Sequence, residues 1–187
     1  MLPAARAAFA AHRARFVRTA RHPAVVDLAA EGLEFTSFDA SYDAAADFET
    51  LYAGIVEVLI DAAAEHGEVV YAVPGSPAVA ERTVELLHGA TQAGRVRVEV
   101  VPGLSFADAT WARIGVDPMA TGARVLDGRA IDPAALGAGT PLLIAQCDDQ
   151  FVLGDVKLAL LEHLPPETVV TVVQRVGLPD EYVGASE

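Results

Sequence analysis

The sequence predicts an α/β fold with a mainly parallel sheet. Two tandem units, each a strand, a Pro-Gly turn and a helix, and a globular composition of 52% hydrophobic and 21% charged residues lead to this prediction. In the first unit an apolar run over 68–73 ends at Pro74-Gly75-Ser76-Pro77. We expect Ser76 to cap a helix that starts at Pro77 and continues over 79–87.

The second unit repeats this order. Valines alternate along 95–101, which predicts a strand, and Pro102-Gly103 ends it. Ser105 and Asp108 then have capping-box spacing at the start of a helix that should reach about residue 114. Because ligands of parallel sheets sit beyond the carboxyl ends of the strands, the two Pro-Gly turns are the first candidate site.

Periodic apolar residues place the remaining elements of the first half. Steps of three and four predict a helix from an Asp47 cap to Gly67, the clearest in the chain. A helix is also expected over 2–17, with Pro23 as a stop, and an irregular segment or short strand with a turn over 32–43.

We place a domain boundary near residue 103, which gives an N-terminal α/β domain over 1–103 and a C-terminal one over 104–187. Strands are expected at 125–127, 141–147 and 169–176, and a helix at 154–164. The tail after Leu178 is expected to be solvated.

The formal net charge is −13 and is unevenly distributed. Residues 1–26 contain five arginines and no acidic residue, so 27–187 sum to −18. That acidic body argues against nucleic-acid binding. An organellar transit peptide is one interpretation of the Arg-rich start, but a surface helix fits better because the expected serines and a cleavage-like break are missing. The five arginines are Arg6, Arg13, Arg15, Arg18 and Arg21.

No apolar run is long enough for a bilayer, since even 51–64 is interrupted by Glu57 and Asp61. We therefore expect no membrane association. The single cysteine, Cys147, excludes an internal disulfide and a zinc site of paired cysteines. A reducing, cytoplasmic location is the simplest expectation.

Familiar catalytic motifs are missing: the sequence has no phosphate-binding P-loop, no His-Glu-x-x-His pair and no Gly-x-Ser-x-Gly elbow. Asp148-Asp149 and Glu162 could be magnesium ligands, but an acidic chain has such groups by chance, and we expect no metal. Cys147 ends an apolar strand, where inert packing is the simpler role. The two turns remain, and ordinary turn chemistry is the competing explanation for them.

The residues over 69–83, which include Val73-Pro74-Gly75-Ser76-Pro77, resemble a known family. With 98–105 and Asp155-Val156-Lys157-Leu158 they are similar to the tetrapyrrole methylase-like domain found fused to MazG-type nucleoside triphosphate pyrophosphohydrolases. The likeness extends from about residue 2 to 177. It implies two α/β domains, the second with a mixed sheet, that hold S-adenosylmethionine between them.

Gly75-Ser76-Pro77 takes the place of the family's usual Gly-Asp-Pro. The family also begins with a strand and a glycine-rich loop ahead of its first helix, so we expect a sheet that lacks its first strand and upstream DNA that encodes one in frame. The ligand contacts that the resemblance implies are Pro74, Gly75, Ser76, Val79, Ser105, Phe106, Gln146 and Gly177.

The implied function is binding of S-adenosylmethionine and methyl transfer to an unknown small molecule. The alternative is a catalytically silent regulatory or assembly module of a MazG-type pyrophosphohydrolase. A polycarboxylate porphyrinoid acceptor is disfavoured by the charge unless arginines converge on the cleft. The likeness and an open sheet edge also predict a homodimer. The arginines in question are Arg82, Arg95, Arg97, Arg113, Arg124 and Arg129.

Overall fold

The computed structural model describes residues 1–137 and 139–186, and the chain divides into two compact units. The first is Met1–Ser105 and the second begins at Phe106. The first contains α1 (Pro3–Ala11), β1 (Arg15–Val17), α2 (Pro23–Ala30), β2 (Thr36–Ser37), α3 (Asp39–Ala44), α4 (Phe48–His66), β3 (Val70–Ala72) and α5 (Arg82–Gln92). The second contains α6 (Phe106–Ile114), α7 (Pro118–Thr121), β4 (Arg124–Asp127), a 3₁₀ turn (Pro133–Ala135), β5 (Leu142–Ala145), α8 (Gln150–Leu161), β6 (Val170–Gln174) and β7 (Tyr182–Ser186).

The first unit has a parallel sheet in the order β2-β1-β3, with helices on both faces. Successive strand residues point to opposite faces, so Phe16 and Val17 belong to different apolar clusters. Each buried side chain of this size contributes about 1.5 to 3 kcal/mol, so the two clusters stabilise the three layers. The predicted α/β class with a parallel first sheet is confirmed. One cluster is Phe9, Val17, Val25 and Leu28, and the other is Phe38, Ile55, Val56, Leu59 and Leu87.

The helix expected over 2–17 is wrong in its second half. α1 ends at Ala11, and β1 follows as the central strand of the sheet. Aromatic Phe16 and β-branched Val17 suit a strand, and β1 is paired on both sides, opposite β2 and β3. Tertiary pairing therefore overrides the helical spacing of the apolar residues.

The helix expected from Asp47 to Gly67 is confirmed as α4. The Asp47 carboxylate accepts a hydrogen bond from the Thr50 backbone N–H at 2.7 Å and so satisfies one of the free donors of the first turn. Gly67 ends the helix at φ +82°, a conformation that glycine adopts without strain.

The strand expected over 95–101 is not formed. Within the residues that the structure describes, this segment pairs with no strand, although Val98 packs against the core of the first unit. The alternating valines produce the half-buried pattern of a strand, but a strand also needs a neighbouring strand with which its backbone can form hydrogen bonds.

The second unit combines a parallel β4–β5 pair with an antiparallel β6–β7 pair, so both strand directions occur. The tail after Leu178 is largely exposed, as expected, and it also contains β7, which pairs with β6 over five residue positions from Val170 opposite Ser186 to Gln174 opposite Tyr182. Across both units, no helix in the described part of the chain has the length and apolar character needed to cross a bilayer.

Candidate functional site

The two Pro-Gly turns of the first unit touch through their backbones. A Cβ placed on Gly103 would lie 2.0 Å from the Gly75 carbonyl oxygen and 3.3 Å from the Ser76 Cα. Gly75 itself has φ +77°. Only glycine at 103 permits this approach, because backbone atoms cannot move aside as a flexible side chain can.

Ser76 does not cap the helix, which corrects the expectation for this turn. The Ser76 Oγ lies 3.4 Å from the Ala78 N–H and its carbonyl accepts from the Val79 N–H at 3.1 Å, so residues 76–79 form a separate turn. α5 begins only at Arg82, with Glu81 at its N-cap. The chain between them passes through Ala80 at φ +53°, a left-handed conformation that costs a non-glycine residue energy.

A half-buried ion pair lies at the carboxyl ends of β1 and β3. Arg18, which follows β1, donates from Nη1 to the Glu81 Oε2 at 2.9 Å, and the Glu81 side chain is only 3% exposed. The Arg18 guanidinium also lies over the Tyr42 ring, 6.0 Å from its centre. The Arg18 backbone N–H donates to the Ala72 carbonyl at 2.9 Å, which ties the pair to β3.

Three hydroxyl groups surround this pair without a hydrogen-bond partner of normal geometry: those of Tyr42, Tyr71 and Thr83. Burial raises the pKa of Tyr42, to about 12, and also raises the pKa of Tyr71. The negative charge of Glu81 adds to both rises, whereas Arg18 and the nearby Thr83 oppose them. Both phenols therefore stay protonated at neutral pH and can act as donors.

Asp39 joins the segment after β1 to the end of β2. Its carboxylate accepts hydrogen bonds from the hydroxyls of Thr19 and Ser37, each at 2.6 Å, and from the Ala20 N–H at 2.8 Å. Desolvation opposes the charge of Asp39, but these hydrogen bonds and nearby Arg21 outweigh it and lower the pKa of Asp39.

In the second unit, Gln146 follows β5 at φ +60° and donates from Nε2 to the Asp127 carboxylate at 2.8 Å. Gly128, at the end of β4, is tightly enclosed, since a Cβ there would lie 2.8 Å from the Ala145 carbonyl oxygen. An open cavity of about 340 Å³ borders this loop and α8, and its polar side chains are Arg129 and Asp155.

Gly177 has φ +80°, and its N–H donates to the Glu181 carboxylate at 2.7 Å. Glu181 also accepts from the Arg113 Nε, which ties the residues after β6 to α6. A Cβ on Gly177 would meet no atom within 4 Å, so its backbone is open on that side.

No group of three or more His, Cys, Asp or Glu that could hold a metal ion occurs among residues 1–137 and 139–186. Asp148 and Asp149, considered above as magnesium ligands, pair with Arg129 instead. Burial raises the pKa of the Cys147 thiol, and the carboxylates of Asp148 and Asp127 raise it further. A thiol of this kind is a poor nucleophile at neutral pH.

Residues 4–186 match the family described as Tetrapyrrole (Corrin/Porphyrin) Methylases. The chain belongs to the tetrapyrrole methylase family.

Relatives of this chain agree with that membership. It is 37% identical over 168 residues to the uncharacterized protein YabN of Bacillus subtilis (strain 168). The matched region covers 90% of this chain and 34% of YabN. The chain thus spans about a third of that relative's length. Uroporphyrin-III-C-methyltransferase from Thermus thermophilus is similar with a TM-score of 0.64 and 28% identity, over 99% of this chain and 77% of that one. A structure of the Thermus enzyme complexed with S-adenosylhomocysteine shares the fold, with a TM-score of 0.67 and 21% identity, over 100% of this chain and 76% of that one.

The candidate residues of this chain fall on both units. Pro74, Gly75, Ser76 and Val79 lie in the turn after β3, and the structure brings Gly75 and Ser76 against Gly103. Ser105 is buried and directly precedes α6, whose first residue is Phe106. Gln146 follows β5 and Gly177 follows β6. Their role in ligand contact stays a prediction.

Sequence reasoning missed the Arg18–Glu81 pair and its three hydroxyls. Arg18 was counted only as part of a basic N-terminal segment, and Glu81 was placed inside a helix. The available signal was weak: a charged residue directly after a strand and another directly before a helix. Their sequence separation of 63 residues hides the contact.

Proposed function

We propose that this chain is a methyltransferase domain that binds S-adenosylmethionine and transfers its methyl group to a small-molecule acceptor. The observation that carries the proposal is the backbone contact between the turns at Gly75 and Gly103, at the carboxyl end of β3, in a chain of the tetrapyrrole methylase family. Open α/β sheets bind ligands at this edge.

The residues present suit such a ligand. Gly75 is exposed, and the backbone of Gly177 is open on the side where a Cβ would stand, so both permit the close approach of a ligand to main-chain groups. In the first unit, Pro74, Gly75, Ser76, Val79 and Ser105 would hold S-adenosylmethionine. In the second unit, Phe106, Gln146 and Gly177 would do so.

When bound, S-adenosylmethionine supplies an electrophilic methyl group on its sulfonium. The chain's own residues then have to align donor and acceptor and exclude water, a task that needs no catalytic triad. Tyr42 and Tyr71 remain protonated, and the Cys147 thiol has a raised pKa, so none of these groups is a ready base at neutral pH. We infer that positioning is the chief contribution of the protein.

The acceptor that we propose carries few carboxylates. All six arginines that could have converged on a cleft have a partner already. Arg82 pairs with Glu49 and Glu85, Arg95 with Glu57, Arg97 with Glu99, Arg113 with Glu181, Arg124 with the Ala135 carbonyl, and Arg129 with Asp148 and Asp149. In a chain of net charge −13, paired arginines give little attraction to a polyanion.

Calorimetric titration with S-adenosylmethionine and S-adenosylhomocysteine tests the proposal. We expect binding by the unaltered chain and a loss of about tenfold or more in Gly103→Ala, because the added methyl forces the two turns apart. Gly75→Ala should weaken binding too, whereas Gly94→Ala, which introduces the same strain at φ +72° away from the turns, should not. No heat and no thermal shift at millimolar ligand would contradict the proposal.

One observation favours a second candidate, a catalytically silent regulatory or assembly module of a MazG-type nucleoside triphosphate pyrophosphohydrolase. The segment 95–101 leads into the turn at Gly103, yet it pairs with no strand in the part of the chain that the structure describes. This candidate predicts no binding of S-adenosylmethionine and a stable complex with a MazG-type protein. Size-exclusion chromatography of the two proteins together would detect that complex.

A further inference from the structure

We propose that Arg18 and Glu81 form a positioning pair that fixes the conformation of the turn over 74–80, and through it the affinity for the methyl donor. This inference rests on the proposed function, because it assigns to the pair a role in the site formed by that turn. Neither residue is expected to touch the donor.

The pair holds the end of the turn against a rigid part of the sheet. The start of the turn follows directly from β3, and its end is Glu81, whose side chain is buried and bonded to Arg18 at 2.9 Å. The Arg18 main chain is fixed in turn by its N–H bond to the Ala72 carbonyl. Ala80, directly before Glu81, is held at φ +53°, a strained conformation that persists only where its surroundings impose it.

The place of the pair in the sheet is also informative. The chain adds β2 on one side of β1 and later adds β3 on the other side. The direction in which strands are added to the sheet therefore reverses between β1 and β3. The crevice beyond the carboxyl ends of strands at such a reversal is where open α/β sheets bind ligands. Arg18 stands at the end of β1, and Glu81 closes the turn that follows β3.

The surroundings of the pair differ from those of an ion pair that serves stability alone. Buried polar groups in a structural network are normally satisfied by hydrogen bonds, yet the hydroxyls of Tyr42, Tyr71 and Thr83, which lie close to one another, make no hydrogen bond of normal geometry here. Incomplete networks of this kind are typical of sites where local stability is given up for function.

The test measures S-adenosylhomocysteine affinity by calorimetry and the thermal midpoint of the same variants. In Glu81→Gln we expect affinity to fall about tenfold or more, because the amide cannot hold the guanidinium as the carboxylate does. The double variant R18M/E81L replaces the pair by apolar groups, which commonly restores stability. We expect it to regain the thermal midpoint of the unaltered chain while its affinity stays low.

The matched control is Glu57→Gln, which breaks the exposed Arg95–Glu57 pair and should leave affinity within about twofold. If R18M/E81L does not fold, Arg18→Lys takes its place, and we expect a near-normal midpoint with affinity reduced about fivefold, since lysine lacks the planar guanidinium that lies over the Tyr42 ring.

Two outcomes overturn this inference but leave the proposed function intact. The first is unaltered affinity in Glu81→Gln or Arg18→Lys. The second is that R18M/E81L regains both its affinity and its stability. If the unaltered chain itself gives no heat with S-adenosylhomocysteine, the proposed function fails and the inference falls with it.

Discussion

Asp39 is the acceptor at which the segments after β1 and β2 meet. Folding lowers the pKa of Asp39 below its ordinary value of 3.8, mainly because hydrogen bonds from Ser37, Thr19 and Ala20 outweigh desolvation. The stabilising contribution of this carboxylate is therefore complete above the pKa of the unfolded chain and is lost as pH falls through the lower folded pKa.

We expect Asp39→Asn to lower the free energy of unfolding by about 1 to 2 kcal/mol at neutral pH, because hydrogen bonds to a charged acceptor are replaced by weaker ones. Urea denaturation of both proteins at several pH values measures this. The difference should shrink as pH falls below the ordinary pKa of 3.8 and through the lower folded pKa. A difference that stays constant, or that grows on acidification, would exclude the proposed role of the carboxylate.

At the residue scale, the sequence was enough to single out the turns at Gly75 and Gly103 but not their surroundings. The glycines stand in local motifs, so their special role is visible without a fold. Arg18 and Glu81 carry no such motif, and their contact depends on β1, which the helical spacing of 2–17 concealed. The Arg18–Glu81 contact could be predicted only once the order of the strands in the sheet was known.

At the scale of elements, α4 was predictable because both of its ends are encoded locally, by Asp47 and Gly67. β1 and the segment 95–101 were not, since strand formation depends on a partner that is distant in sequence. The alternating valines of 95–101 predicted a strand, but the segment pairs with no strand within residues 1–137 and 139–186.

The N-cap of α4 provides a direct test at this scale. Asp47→Ala removes the acceptor of the Thr50 N–H and should lower the thermal midpoint by a few degrees. Glu65→Ala, at an exposed position near the other end of α4, is the control and should change the midpoint little. Equal effects of the two variants in a calorimetric melt would argue against the capping interaction.

At the scale of the whole molecule, exposed apolar side chains support the predicted homodimer. On α8, Phe151 is 75% exposed and Leu158 is 64% exposed, and their spacing of seven residues places both on one face of the helix. Apolar stripes of this kind are commonly covered by a partner. The predicted cytoplasmic location stays a prediction.

We expect the unaltered chain to sediment as a dimer and the double variant F151S/L158S to sediment as a monomer. Val26→Ser removes an exposed apolar side chain from α2 and should leave the dimer intact. Analytical ultracentrifugation over a range of concentrations distinguishes these states. A monomer at high concentration for the unaltered chain would count against the predicted dimer.

The central claim is that a methyl donor binds at the turns after β3 and before α6. Two-dimensional ¹H–¹⁵N NMR of the labelled chain during titration with S-adenosylhomocysteine tests both the binding and its location. We expect the largest amide shifts at Gly75, Ser76, Val79 and Gly103 to Phe106, with further shifts at Gln146 and Gly177. No shifts at millimolar ligand, or shifts confined to the cavity beside Gly128 and α8, would contradict the claim.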